Sequence, residues 1–257
     1  AFFLCFFSRA RAIGVRAPRG TVMNDVIQRV REELRRNQDP ETLASGSRFF
    51  KEHVSLYGVK TARVTSIARA FLKEVGPEGK DYVLSLCDIL WRSGYMEESF
   101  IACEWSYSLR SQYVPEDFSI FERWASHYVT NWAACDTLCN HTVGSFVEAF
   151  PAFVDHFKTW AHSENRWLRR AAAVSLIIPV RKGKFHKNAF DIADALLLDA
   201  DDLVQKGYGW LLKAVSESDQ QAVFDFVMQR KAVMPRTALR YAIEKMPPEV
   251  KARAMAR

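Results

Sequence analysis

Trp132, Asp136, Arg170 and Trp210 have side chains able to meet a cation beside a phosphate, as other tryptophans, acids and arginines of the chain do. Trp132 and Asp136, in NWAACD, are four residues apart, so a helix places both on one face. A fixed carboxylate stabilises positive charge that develops beside it, and the same group can orient a water molecule. Indole faces attract cations, by about 0.5–2 kcal/mol once desolvated. Arg170, in RWLRRAAA, can hold a phosphate by two parallel hydrogen bonds that Lys cannot copy. Trp210, in KGYGWLLK, supplies a second indole. Each residue also has a plain structural reading. Trp at helical spacing ordinarily belongs to a core, and Trp91, Trp105, Trp124 and Trp160 are placed there. A helical Asp is ordinarily a surface residue, and an Arg before Ala-Ala-Ala a solvated one.

These groups lie on three separate segments, so other elements must bring them together. From Met23 onward the pattern is helical almost throughout. Val26, Val30 and Leu34 keep a spacing of four. Asp39-Pro40-Glu41 marks a stop and a new N-terminus. A second helix is expected over 41–56, burying Leu43, Phe49, Phe50 and Val54, with Gly58 ending it. KTARVTSIARAFLKEV is the third, closed by the turn Gly76-Pro77-Glu78-Gly79. Further helices are expected near 80–91, 96–110, from Pro115, over 132–150, from Pro151, and over 164–178 before Pro179. Others follow at 186–198, 202–216 and 218–231, and a last one starts at Pro235. No alternating run bounded by hairpin turns appears, so no sheet is expected. Short connections imply antiparallel helix pairs. A pair recurs about every 35–45 residues, the period of HEAT or armadillo arrays. The expected fold is therefore all-α, a curved superhelical array whose concave face binds. A compact helical bundle fits the periodicity equally well.

Length and composition suit this. The chain has 257 residues, 49% of them hydrophobic, with little Gly or Pro, enough for one large domain or two small ones. The net charge is +6, but Arg9, Arg11, Arg16 and Arg19 contribute four of it and leave +2 for the remainder. From Asn165 to Phe190 there is no acid, while Arg166, Arg169, Arg170, Arg181, Lys182, Lys184 and Lys187 all fall there. Such a run marks either a phosphate-binding surface or a solvated face with a basic loop. Cys5, Cys87, Cys103, Cys135 and Cys139 are an odd, sparse set, which points to a reducing compartment rather than a disulfide framework. Cys135 and Cys139 share a helix face but lack partners for a tetrahedral metal site, and read as buried thiols. The six histidines show no triad or metal spacing. No apolar run reaches the roughly 18–20 residues a membrane helix needs. Residues 1–22, apolar and then Arg-rich, resemble targeting or upstream sequence, so the domain is expected to span 23–257.

Several stretches are more specific. FFKEHVSLYGVKT, Leu90-Trp91 with Glu97-Glu98-Ser99-Phe100, Trp132-x-x-x-Asp136, Trp167-Leu168-Arg169-Arg170-Ala171-Ala172 and Gln205-Lys206-Gly207-Tyr208-Gly209-Trp210 follow one another in order. In these segments, from about Met23 to about Ala242, the chain resembles the AlkD-like family of DNA alkylation repair glycosylases, built from HEAT-like repeats. The resemblance implies a hydrolase of base excision repair that removes N3- and N7-alkylated purines from duplex DNA. It implies that the base is not fully flipped into a pocket, unlike the usual extrusion. By resemblance, Asp136 is the catalytic carboxylate, Trp132 and Trp210 flank the lesion's sugar, and Arg170 approaches the DNA backbone. Phe49 stands where relatives can carry a Tyr near the DNA, and lacks its hydroxyl.

An N-alkylated purine is already cationic, so it leaves without prior protonation. One carboxylate then suffices, and no metal or cofactor is expected. Further basic residues expected along the duplex are Arg166, Arg169, Lys182, Lys184, Lys206, Lys213 and Lys60, with contacts that weaken in salt. The expected protein is a monomer with duplex DNA as partner, away from membranes, in the bacterial cytoplasm at the nucleoid. The other reading is a non-catalytic HEAT-like module that binds DNA or protein.

Overall fold

Val26, Ile27, Val30 and Leu34 are all buried along one side of α1 (Arg19–Arg36), as their spacing requires. The computed structural model describes residues 19–256, so most of the segment 1–22 lies outside the described residues. α1 begins at Arg19, four residues ahead of Met23. The chain continues through α2 (Pro40–Phe49), α3 (Thr61–Val75), α4 (Lys80–Arg92), α5 (Met96–Ser108), α6 (Phe118–His127) and α7 (Trp132–Thr137). Then come α8 (Gly144–Ala149), α9 (His156–Ala161), α10 (Arg166–Val174), α11 (Ile177–Arg181) and α12 (His186–Ala195). α13 (Asp202–Ser216), α14 (Gln220–Arg230), α15 (Arg236–Ala242) and α16 (Pro248–Met255) complete it. Among the described residues there is no strand, only an isolated bridge between Ser55 and Tyr95.

The helices form an all-α curved array in two layers. One layer contains α3, α5, α7, α10, α13 and α15, each packed on the next. Their first residues, Thr61, Met96, Trp132, Arg166, Asp202 and Arg236, recur every 34 to 36 residues. The second layer supports them: α4 packs on α5, α9 on α10, and α12 and α14 on α13. One continuous core fills the space between layers, and Trp91, Trp105, Trp124 and Trp160 are buried in it as expected. Asn131, Asn165 and Asp201 cap α7, α10 and α13, each side chain accepting from backbone N–H groups of the first turn. Each such cap contributes about 1 kcal/mol and fixes where its helix starts.

Several expected elements differ, among them the helix from Pro235, which is not the last but is followed by α16. The helix over 41–56 stops at Phe49, and Leu43 and Phe49 are exposed rather than buried. Beyond it, the N–H groups of Tyr57, Gly58 and Val59 donate to the buried Glu97 carboxylate, which replaces a helical ladder with an anchored loop. The helix over 132–150 contains a π-helical turn, Leu138–Val143, between α7 and α8. The helix over 164–178 ends at Val174, and α11 runs through Pro179. Pro179 is tolerated there because first-turn N–H groups have no helical acceptor.

Gly209 shows how closely the layer is packed. A Cβ there would lie 2.7 Å from Tyr241 Cβ and 2.8 Å from the Ala238 carbonyl oxygen. Gly209→Ala is therefore expected to separate α13 from α15 and lower stability by about 1–3 kcal/mol. Urea denaturation checks this, and an unchanged midpoint would contradict it.

Candidate active site

Asp136 and Arg170 come from neighbouring helices one repeat apart. Arg170 Nε donates to Asp136 Oδ1 at 2.8 Å and Nη2 donates to Oδ2 at 2.7 Å. Nη1 donates to the Leu203 carbonyl on α13, so this guanidinium joins α7, α10 and α13. Gly207 lies against this side chain, and a Cβ there would sit in van der Waals contact, 3.4 Å from Arg170 Cγ. Only 6% of the Arg170 side chain and 14% of the Asp136 side chain is exposed. Burial pushes the Asp136 carboxyl above its ordinary range, while the Arg170 guanidinium pulls the other way. The guanidinium itself is held charged by the carboxylate against the effect of burial.

The resemblance assigns Arg170 to the DNA backbone. In the free protein it is buried and bonds Asp136 and the Leu203 carbonyl.

Trp132 and Asp136 share α7, as their spacing requires. The Trp132 ring is half-buried and meets two phenyl rings, Phe49 and Phe50, each at 5.6 Å between centroids. These aromatics wall a pocket of about 330 Å³ with Leu56 and Phe100. An adjoining pocket of about 340 Å³ reaches Thr137 and His141 along the same layer. Burial lowers the His141 pKa, and its ring lies 5.2 Å from Tyr107. Trp210 is half-buried against the core of α13, one turn beyond Gly207. Lys206, Trp210 and Lys213 share one face of that helix by their spacing.

The basic residues expected on DNA are each paired with an acid. Arg166 meets Glu52 at 2.6 Å and Asp201 at 3.1 Å. Arg169 meets Asp199 at 2.6 Å. Lys182 and Lys184 share Glu148. Lys206 pairs with Asp202, Lys213 with Glu244, and Lys60 with Asp39. Even Arg181 and Lys187, which complete the acid-free run, meet Glu217 and Asp191. A run without acids in sequence is thus neutralised by acids from elsewhere in the chain, Asp191 of the same helix among them. The more exposed of them, such as Arg181–Glu217, are weak, whereas Arg169–Asp199 is largely buried.

Sequence reasoning missed Phe50 and Glu52 as part of this site. The available signal was their position beside Phe49 in FFKEH. Cys87, Cys103, Cys135 and Cys139 are free and buried, as read. Among the described residues, no group of three or more His, Cys, Asp or Glu side chains is arranged to hold a metal ion.

The profile of the DNA alkylation repair enzymes matches residues 30–246. The chain belongs to that family. DNA is accordingly its partner, and alkylation damage is what its relatives are named for. Solved structures of this DNA alkylation repair fold agree. A predicted DNA alkylation repair enzyme from Enterococcus faecalis superposes with a TM-score of 0.74 at 17% identity, covering 82% of this chain and 98% of its own. AlkD2 from Streptococcus mutans gives 0.60 at 17% identity, covering 87% and 98%. A third, smu.31 from Streptococcus mutans UA159, gives 0.51 at 16% identity, covering 74% and 98%. At these identities the likeness is one of fold. No curated protein matches the sequence. No helix of the described residues is long and apolar enough to cross a membrane.

Proposed function

We propose that this repair-family chain is a DNA glycosylase that hydrolyses the N-glycosidic bond of cationic N3- or N7-alkylated purines in duplex DNA, without full base flipping. The observation that carries the reading is the Asp136 carboxylate, clamped at both oxygens by Arg170 and one helical turn from Trp132. Breaking the bond builds positive charge on the sugar, as in glycoside hydrolysis. Each Asp136 oxygen accepts one bond from Arg170 and keeps a second lone pair for a cation or a water. Because the clamp fixes the carboxylate beforehand, no reorganisation is needed as charge develops. Trp132 and Trp210 would add cation–π attraction. Arg170 is a positioning residue in this account. The cations Arg166, Arg169, Lys60, Lys182, Lys184, Lys206 and Lys213 would exchange carboxylate partners for phosphates, acting as a monomer on duplex DNA at the bacterial nucleoid.

The test is release of free 7-methylguanine or 3-methyladenine from methylated duplex, leaving an abasic site. One observation favours a second reading: an ion pair this buried also serves a purely structural role. A non-catalytic DNA-binding module would bind the duplex and release no base.

The reading also sets a pH dependence. Asp136 works ionised, and burial raises its carboxyl above the ordinary aspartate range. As pH falls, activity is therefore expected to fall while ordinary aspartates are still ionised. A pH profile of base release, corrected for uncatalysed depurination, checks this. A plateau extending below the ordinary aspartate pKa of about 3.9 would contradict it.

A further inference from the structure

The segment that follows α2 crosses the candidate site. Phe49 and Phe50 rest on Trp132 of α7. Glu52 accepts from Arg166 of α10 at 2.6 Å, and Lys51 reaches Asp202 of α13 at 3.3 Å. Those two contacts span 114 and 151 residues, so one short strap touches three successive helices of the layer that carries the site. The strap has little of its own to hold it down. No residue of α2 is buried, and Phe49 is 68% exposed. The anchors lie on either side of it: before α2 the Asp39 N–H donates to the Gly58 carbonyl, and afterwards come buried Val54 and the Glu97-bound loop of Tyr57, Gly58 and Val59.

Arg166 is preset independently of the strap. Its guanidinium lies 4.6 Å from the Trp167 ring. Its Nε is 3.1 Å from Asp201, without hydrogen-bond alignment and without any other partner, although buried. Asp201 is itself committed to capping α13 through the N–H groups of Leu203 and Val204. Glu52 takes the Nη2 donor of Arg166. A carboxylate and a phosphodiester each carry one negative charge and accept the same guanidinium hydrogen bonds, so one can replace the other charge for charge.

We propose that Arg166 is a backbone-phosphate site for duplex DNA that Glu52 occupies in the free protein, and that the Phe49–Glu52 strap is displaced when the duplex reaches Trp132. The inference rests on the chain binding duplex DNA, and not on its cleaving a base. Glu52 then acts as an internal competitor, and removing its charge relieves the competition.

The experiment measures binding of labelled, unmodified duplex by fluorescence anisotropy at low salt, using the full chain. The variants are Glu52→Gln, Arg166→Ala, the double variant, and Asp225→Asn as a control for lost negative charge. Asp225 lies on α14 and bonds only Gln221. Glu52→Gln is expected to bind about 5- to 10-fold tighter, against about twofold at most for the control. The gain should vanish in the Arg166→Ala background. Amide exchange over residues 49–53 should rise in Glu52→Gln alone and in the wild type on adding duplex. A gain no larger than the control's, a gain that survives Arg166→Ala, or no duplex binding at all would overturn the proposal. Base release by the same proteins separates the two claims. Release without a Glu52 effect sinks the strap alone, and an Arg166-dependent gain without release sinks the glycosylase alone.

Discussion

Arg170→Leu is expected to lower stability by about 3–5 kcal/mol at neutral pH, the usual cost of leaving one member of a buried ion pair behind. Three bonds go at once, two to Asp136 and one to the Leu203 carbonyl, and they join three helices. The leucine fills much of the space but satisfies neither acceptor. Asp136 can relieve its exposure to a low dielectric by taking a proton, which its burial already favours. The loss should therefore be smaller at acid pH than at pH 7. Arg170→Lys keeps the charge without the fork, and should fall between wild type and leucine. Urea denaturation at both pH values measures this. A loss below about 1 kcal/mol at both would mean that the pair behaves as a solvated surface bridge.

Asp136→Asn is expected to slow base release by about 10²- to 10³-fold, in line with removal of one preorganised electrostatic group. The substitution changes charge and hardly changes shape. Its carbonyl oxygen still accepts one bond from Arg170, while its amide faces the other donor. Duplex affinity should stay close to wild type, because Asp136 is largely covered and contributes little to phosphate binding. Anisotropy and a melting curve would show whether the variant still binds and folds.

Much of the fold was legible because helical period and helix caps are local signals. Val26, Val30 and Leu34 named a buried face correctly, and so did the four core tryptophans. The site was legible only in part. Trp132 and Asp136 share a helix face by spacing alone. The partner of Asp136 was not visible that way, since Arg170 lies 34 residues on. That distance is the interval between successive helices of the layer. Many other partners share it: Lys182 and Glu148 lie 34 apart, Arg123 and Asp88 lie 35, and Arg230 and Asp194 lie 36. In a stacked array, residues one repeat apart are neighbours, so the repeat length carries pairing information. Reading the acid-free run by itself discarded that information and left its cations looking unpaired. The strap lay beyond any periodic signal. Phe49 and Phe50 look like core residues in a helical stretch, but the helix ends at Phe49 and the next loop is anchored on Glu97.

The central claim is that Asp136 carries a base-releasing activity. Single-turnover release of 7-methylguanine or 3-methyladenine from methylated duplex, by wild type and Asp136→Asn at matched occupancy, tests it most directly. The account predicts release by the wild type and a variant that binds the same duplex but is slower by about 10²-fold or more. Equal rates for the two proteins would contradict it.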